Sequence, residues 1–472
     1  MIYARRLLII AVFLLAPSFA LAAASLTDNT ANIIDCFQYY NFGSVAMNIN
    51  PENQAYSSGE TISFKGTVEN KNNFPIVSGE IFAKVFRRDS KGAGAPNGEH
   101  EIAQFYGVKD LNIDGNKTKN VEFNFTLPKE VVSGEYMVQF FFTVGEKYNL
   151  SGLTFHNSIP GSLSSFFVKS TAKDPIYFDK DNIKINGTAY GLRQIGVPFE
   201  KDKKIEINVP IINSTAENSN LTVTKDLYYW DSAYEKNKIK TDSENVSVPG
   251  NSDKTISYAI DNPDVSVYMV KLTAVSDSGQ QTIVNVRPVV KGIFQPRLNF
   301  STLASFPLKK DQKTAIVSCV HNAGLDTKDG KLVMTLKDEN GQIIDSSTYS
   351  GGISGSMAGV AKVFTPQKDY GKLALTAEIY DSNGKLYDSY TENYDCSNFD
   401  PGICGSSPMA PALPTKFYKG ISDQPVGFVT KLELALVTKV IIFVISFAVL
   451  VLIAFLVAFY AGKIIQKNAK KK

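Results

Sequence analysis

Three histidines, four cysteines and one tryptophan in 472 residues leave little material for a metal enzyme or a histidine-based catalyst. His100, His156 and His321 fall in separate segments, and no C-x-x-C or C-x-x-H occurs, which argues against a four-ligand zinc site. Charge of one sign is missing too: 49 Lys+Arg stand against 46 Asp+Glu, a formal net charge of +3. Without a basic field, nucleic acid is not expected as a partner. No Gly-x-Ser-x-Gly elbow or phosphate loop stands at a strand-to-helix junction, and between the two ends no stretch carries a helical apolar stripe. The chain is therefore read as a non-enzyme with no catalytic, cofactor-binding or metal-binding residues and no cofactor.

What is present begins at the ends. Arg5 and Arg6 precede an apolar run from Leu7 to Leu15 and the small-residue stretch Ala20-Leu21-Ala22-Ala23-Ala24. This is the pattern of a cleaved signal peptide, placed at residues 1–22. Near the other end, Val440 to Gly462 holds no charge, and as a helix it would span roughly 34 Å, enough to cross a bilayer. Lys463, Lys467, Lys470, Lys471 and Lys472 follow it and anchor a short tail, 463–472, on the cytoplasmic side. The expectation is a cell-membrane protein crossing once, its N-terminus outside. Leu413-Pro-Thr-Lys416-Phe417 only imitates a sortase signal, since Lys416 and Phe417 stand where Thr and Gly are needed.

Between the ends, apolar residues alternate with period two in short segments bounded by Gly, Asn, Asp and Pro, the strand pattern. These segments repeat. A turn residue, an alternating strand and an Asn recur as Gly59 to Asn70, Asp202 to Asn213 and Asp311 to Asn322. The Asn is expected to cap the strand's exit. A second block runs from Gly115-Asn116 to Leu127-Pro128 and again from Gly250-Asn251 to Asn262-Pro263, followed by Tyr136-Met137-Val138 and Tyr268-Met269-Val270. The third copy, Gly355 to Pro366, is weaker and leads to Leu373 and Leu375. Three units result, at 45–170, 175–291 and 294–396, after an N-terminal segment at 23–44. Their size, with turn signals every eight to twelve residues, predicts antiparallel β-sandwiches. In the third unit, Asn340-Gly341 and Asn383-Gly384 mark hairpins.

The pattern resembles the Ig-like β-sandwich repeats of bacterial and archaeal surface proteins, including CARDB domains. That resemblance covers about 350 residues, and it implies spacers, adhesive modules or presenters of another domain. The expected fold is an all-β ectodomain of three tandem Ig-like antiparallel sandwiches plus one C-terminal transmembrane helix. Residues 397–430, rich in Pro, Ser and Gly, read as a stalk.

Cys36, Cys319, Cys396 and Cys404 lie in the exported part, where disulfides are permitted. Three connectivities exist. Cys396 with Cys404 would close a loop over Pro401-Gly402, and the rival joins Cys319 to Cys396 and leaves Cys36 for Cys404. Asp110-Leu-Asn112-Ile-Asp114-Gly115 imitates the start of a calcium loop, but its final acid falls one position late at Glu122, so strand-turn-strand is preferred. Eight N-x-S/T sequons occur, Asn213 among them, an excess too small to establish glycosylation. Tyr228, Tyr229, Trp230 and Tyr234 form an aromatic cluster that serves the core or, if exposed, a protein or glycan contact. The function expected is a non-enzymatic single-pass surface protein displaying Ig-like domains for adhesion, ligand binding or envelope structure. Its partners would be the membrane and an outer protein, glycan or envelope polymer; the oligomeric state stays open. The alternative is an accessory subunit of a membrane transport or secretion complex, with the transmembrane helix as the contact.

Overall fold

The computed structural model describes residues 32–34, 45–71, 75–88, 99–144, 163–190, 197–229, 235–322, 328–353, 356–400 and 402. The expected signal peptide, transmembrane span and lysine tail, and most of the stalk, lie outside the described residues. Among the described residues no helix is long and apolar enough to cross a membrane. They are strands, joined by turns and two short 3-10 segments at Glu235–Asn237 and Cys396–Asn398.

In chain order the first strands are β1 (Asn32–Ile34), β2 (Val45–Pro51), β3 (Ala55–Ser57), β4 (Thr61–Asn70), β5 (Ile76–Arg88), β6 (Glu99–Ile113), β7 (Lys117–Thr126), β8 (Gly134–Val144) and β9 (Leu163–Lys169). Then come β10 (Ile176–Phe178), β11 (Lys184–Ile185), β12 (Thr188–Ala189), β13 (Val197–Glu200), β14 (Ile205–Asn213), β15 (Ser219–Tyr229), β16 (Lys238–Val248), β17 (Ser252–Ile260), β18 (Tyr268–Ser276), β19 (Gln281–Val286) and β20 (Pro288–Lys291). The last are β21 (Pro296–Leu303), β22 (Thr314–Asn322), β23 (Lys328–Asp338), β24 (Ile343–Ile353), β25 (Ser356–Phe364), β26 (Lys372–Asp381) and β27 (Leu386–Asp395).

They form successive sheet pairs. The first pair is β2-β4-β7 with β3-β9-β8-β5-β6. The second sets β10-β14-β11-β12, with β17 also on β14, beside β16-β15-β18-β19 and the small β13-β20 ladder. The third is β1-β25-β22-β21 with β24-β23-β26-β27. Two features differ from a purely antiparallel reading. The ladders β3–β9 and β13–β20 are parallel. The N-terminal segment, read as lying outside the sandwiches, supplies β1 to the third pair, where Asn32 faces Ala361 and Ile34 faces Gly359.

The repeated residues have visible jobs. Along β14, Ile205, Ile207, Val209 and Ile211 are fully buried while Glu206 points to solvent, the period-two pleat the sequence carries. Asn70 and Asn213, which end their strands, are both fully buried. Asn70 donates to the carbonyls of Ile113 (3.2 Å) and Asp114 (3.1 Å). Asn213 donates to Glu217, Val248 and Pro249 at 2.9, 3.1 and 3.2 Å. Each Asn satisfies carbonyls where the chain leaves the strand before the Gly/Asn turn, and Asn213 so engaged is no glycosylation acceptor. Asn116 and Asn251, at φ 55° and 52°, make that turn.

Tyr136 and Tyr268 are equivalent as well. The Tyr136 hydroxyl donates to the Val132 carbonyl (2.9 Å), while that of Tyr268 accepts from the Asp264 amide (2.9 Å) and donates to its carboxylate (2.6 Å). These are tyrosine corners, each pinning the loop that enters its strand. The third copy lacks a tyrosine there, and Tyr394 of β27 instead accepts from the Leu303 amide (2.9 Å) on the open edge of β21.

The cores are not equivalent. The second cluster draws only on residues between Ile176 and Ile293. The first, built on Phe64, Phe123 and Phe140, continues into the third pair through Ala304, Ala315, Val317, Cys319 and Ala361, with Phe105, Val108 and Phe125 packed against it. Strand β22 is thus buried on both faces: Ala315, Val317 and Cys319 turn to the first core while Ile316, Ser318 and Val320 turn the other way, and all are at most 1% exposed.

Candidate functional site

A group of charged side chains with little exposure lies where the first and second pairs meet. Glu80 and Glu101 are 3% and 6% exposed, and Lys180 and Asp226 have side chains 12% and 13% exposed. Lys180 Nζ is 3.4 Å from Glu101 Oε2, and Gln104 donates to Glu101 Oε1 at 2.5 Å. Burial pushes the Glu101 carboxyl up, but Lys84, Lys180 and Gln104 outweigh it and hold the group below the usual carboxylate range. Lys271, on β18, is held below the lysine range by burial, against the opposing pull of Asp226 and Glu101.

Neutral contacts complete the seam. The Gln281 side chain of β19 donates to the Ile102 carbonyl of β6 at 2.8 Å. His100 stacks on Tyr177, ring centroids 4.0 Å apart and planes 12° apart. Burial raises the Tyr106 hydroxyl far above its ordinary range, helped by Glu80 and by Tyr228 across the seam. The cleft here is lined by Arg87, His100, Ile102 and Gln281 and encloses only ≈ 20 Å³, room for about one water.

This arrangement holds charge in place. Glu101 is paired with Lys180 and Asp226 with Lys238, Glu80 and Asp226 accept hydrogen bonds from the Thr143 and Thr241 hydroxyls, and His100 is stacked on Tyr177. No group of three or more metal-ligating side chains gathers among the described residues. Two open grooves exist elsewhere, ≈ 580 Å³ beside Asp329, Lys331, Ser350 and Tyr380, and ≈ 520 Å³ beside Asp179, Asn182, Ser214 and Asp253. Neither includes a histidine or cysteine.

The sequence-predicted residues separate. Tyr228 is buried at 3% exposure, with Lys238 Nζ 5.6 Å from its ring centroid, and burial lifts its hydroxyl to about 12. Tyr229 is 40% exposed at the end of β15, and Ile239 is 38% exposed on the facing strand. Trp230 and Tyr234 lie outside the described residues, as do Cys36, Cys404, Lys463, Lys467, Lys470, Lys471 and Lys472. Cys319 and Cys396 are both described, and neither is a free thiol. The calcium lookalike is strand-turn-strand: Asp110 to Ile113 end β6, Asp114 to Asn116 turn, and β7 follows.

Sequence reasoning missed Glu101, Lys180, Lys271 and Gln281. A lone charge at an alternate position of a strand reads as solvent-facing, and nothing local says that a second sheet covers it.

No family model matches the chain, and no curated protein does. Among solved structures it is similar to trypsin-activated alpha-2-macroglobulin from Escherichia coli, at 12% identity and TM-score 0.31, over 78% of this chain and 25% of that one. A Salmonella alpha-2-macroglobulin mutant gives 12% identity and TM-score 0.29 over 80% and 24%. Red sea bream transglutaminase gives 11% and 0.22 over 46% and 31%. The chain spans about a quarter of the length of the macroglobulins it matches. At such TM-scores the likeness carries no argument about activity.

Proposed function

We propose that the chain is a non-enzymatic, single-pass surface protein whose sheet pairs act as one rigid ectodomain for adhesion, ligand binding or envelope structure. The observation that supports this is the double burial of β22, which makes one core of the first and third pairs. A string of independent spacers would keep each core to itself. A rigid body, by contrast, presents its loops at fixed separations, which is what multi-point recognition of a protein, glycan or polymer needs. The uncharged stretch from Val440 to Gly462 is the proposed anchor, with the lysine tail inside. Exposed Tyr229 and Ile239, with Trp230 and Tyr234 adjacent in sequence, are the proposed outer contact.

The second reading, an accessory subunit of a membrane complex, is favoured by Ala448, Ala454, Ala458 and Ala461 within the span, small residues that suit helix packing. Cross-linking on intact cells with capture through a tag on the tail separates the two. Recovery of outer proteins or envelope polymer supports the adhesive ectodomain. A stoichiometric integral-membrane companion, lost when 440–462 is replaced by poly-Leu, refutes it in favour of the subunit.

A further inference from the structure

In the second pair, one face of the β18–β19 hairpin fills its own core and the other turns to the first pair. Val270, Leu272, Val284 and Val286 belong to the core, so the residues that alternate with them, Lys271 on β18 and Asn285 on β19, lie on the outer face. That face is covered, since Gln281, which shares it with Asn285, donates to the Ile102 carbonyl of β6. Lys271 and Asn285 stand directly opposite each other in the ladder, and on the other side of Lys271 the register places Asp226 of β15. An acid, an amine and a primary amide thus form one row across three adjacent strands.

As three separate side chains the row is poorly satisfied. Both polar atoms of the Asn285 amide are sealed from solvent, and neither Oδ1 nor Nδ2 has a hydrogen-bond partner. Buried amides are rarely left so, because only hydrogen bonds repay their desolvation. The Lys271 ammonium joins no ion pair among the described residues, although Asp226 is its ladder neighbour. Asp226 is instead engaged by Lys238, 3.6 Å away, and by the Thr241 hydroxyl at 2.6 Å. Burial, opposed by Asp226 and Glu101 and reinforced by Lys238 and Lys84, holds Lys271 below the lysine range, and the neutral amine it favours is the nucleophilic form. Directly opposed residues place their Cβ atoms about 5 Å apart. The four-carbon stem of a lysine bridges such a gap.

We propose that Lys271 and Asn285 are joined by an isopeptide bond, Nζ to Cγ, with Asp226 as the proton relay for its formation. The neutral amine attacks the side-chain carbonyl of Asn285, the Nζ–Cγ bond forms and the Cγ–Nδ2 bond breaks. Asp226 takes one amine proton and passes it to Nδ2, which leaves as ammonia. No oxidant, reductant or cofactor enters, so the bond needs neither export nor a partner protein. Its place in the ladder gives it a task. β18 begins and β19 ends at the open end of their hairpin, where Val270–Val286 is the first rung and Lys271–Asn285 the second. Tension along the chain unzips a hairpin from that end, and a covalent second rung stops it.

The test is peptide mapping of the denatured full-length protein. Trypsin does not cut after an amide-bound lysine, so residues 255–291 should appear as one peptide, lighter by one ammonia than the sequence requires. Cleavage before Asp277 should then leave 264–276 and 277–291 joined. Recovery of 255–271 and 272–291 as separate peptides of full mass overturns the proposal. So does loss of ammonia without joining, the mark of ring closure at Asn285 alone. Asn285→Ala should restore cleavage after Lys271, and a Lys271 link to any other residue in that variant counts against the pairing. Asp226→Asn should leave most of the freshly made protein unlinked, whereas a full yield of joined peptide would overturn the relay and leave the bond standing.

Discussion

The first sheet pair has two neighbours and meets them by opposite means. Against the second it sets an ion pair, a ring stack and a side-chain-to-backbone hydrogen bond; with the third it shares one apolar cluster, in which Ala315, Val317 and Ala361 join Phe64, Phe123 and Phe140. The apolar contact is cohesive because it removes oily surface from water at about 25 cal/mol per Å² and asks for no particular geometry. The polar contact is selective, since its charges repay their desolvation only when the partners are correctly placed. One contact holds the molecule together, and the other fixes an angle.

That contrast can be broken most severely in the apolar contact. Val317→Asp buries a charge with no partner and should cost about 4 kcal/mol or more, read by urea unfolding. A loss below about 1 kcal/mol would mean that the first core closes without the third pair. Lys180→Ala should cost less, about 2 kcal/mol at pH 7, because Glu101 keeps Lys84 and Gln104. Since the folded Glu101 carboxyl is held below 4.5, its contribution is full above that pH and is lost as pH falls through the folded value, so the penalty of this variant should shrink in acid.

Glu392 provides the opposite slope. It is buried in the third pair near Asp110 of β6, and burial first, then that neighbouring carboxylate, raises it well above 4.5. The folded state then keeps a proton that the unfolded chain has shed, so the stability it contributes is full below pH 4.5 and is lost as pH rises through the folded value. Glu392→Gln, which leaves an acceptor for the Tyr390 hydroxyl, should gain about 1 kcal/mol at pH 7 and flatten the neutral limb of a pH–melting profile. The smallest effect belongs to Gln281→Ala, which loses one hydrogen bond to Ile102 and should cost about 0.5 kcal/mol with no pH dependence.

The strands, the capping asparagines and the paired tyrosines were legible because each acts within its own unit, and repetition made the signal visible. Asn70 and Asn213, or Tyr136 and Tyr268, share spacing because they share a local task. The third copy is weak because it carries Leu373 and no tyrosine at the start of β26, and the buried Tyr394 of β27 bonds a different segment, β21. The contacts between units were legible only in part. The run Ala315-Ile-Val-Ser-Cys-Val320 is apolar at consecutive positions, the mark of a strand covered on both sides, but nothing in it names the covering partner. Strand β1, three residues long and paired with residues more than three hundred positions away, left no periodicity to read. Of the candidate site, Tyr228 was singled out only as a member of an aromatic cluster, and Glu101, Lys180 and Lys271 were not, because they are unremarkable until two sheets meet.

The pairing of β1 with β25 also bears on how the chain is made. A polypeptide delivered N-terminus first exposes Asn32–Ile34 at the start, while their partners Gly359–Ala361 arrive only after all the strands of the first two pairs. The second pair, whose core is its own, is able to mature while delivery continues. The first waits on the third for its Ala315–Val317 floor, and the third waits on a strand that was delivered before everything else. Completion is thus a late, long-range event with a large loop to close, slow by its topology. A chain truncated anywhere before β25 leaves the first and third pairs unfinished, with oily strands open to proteases and to other copies.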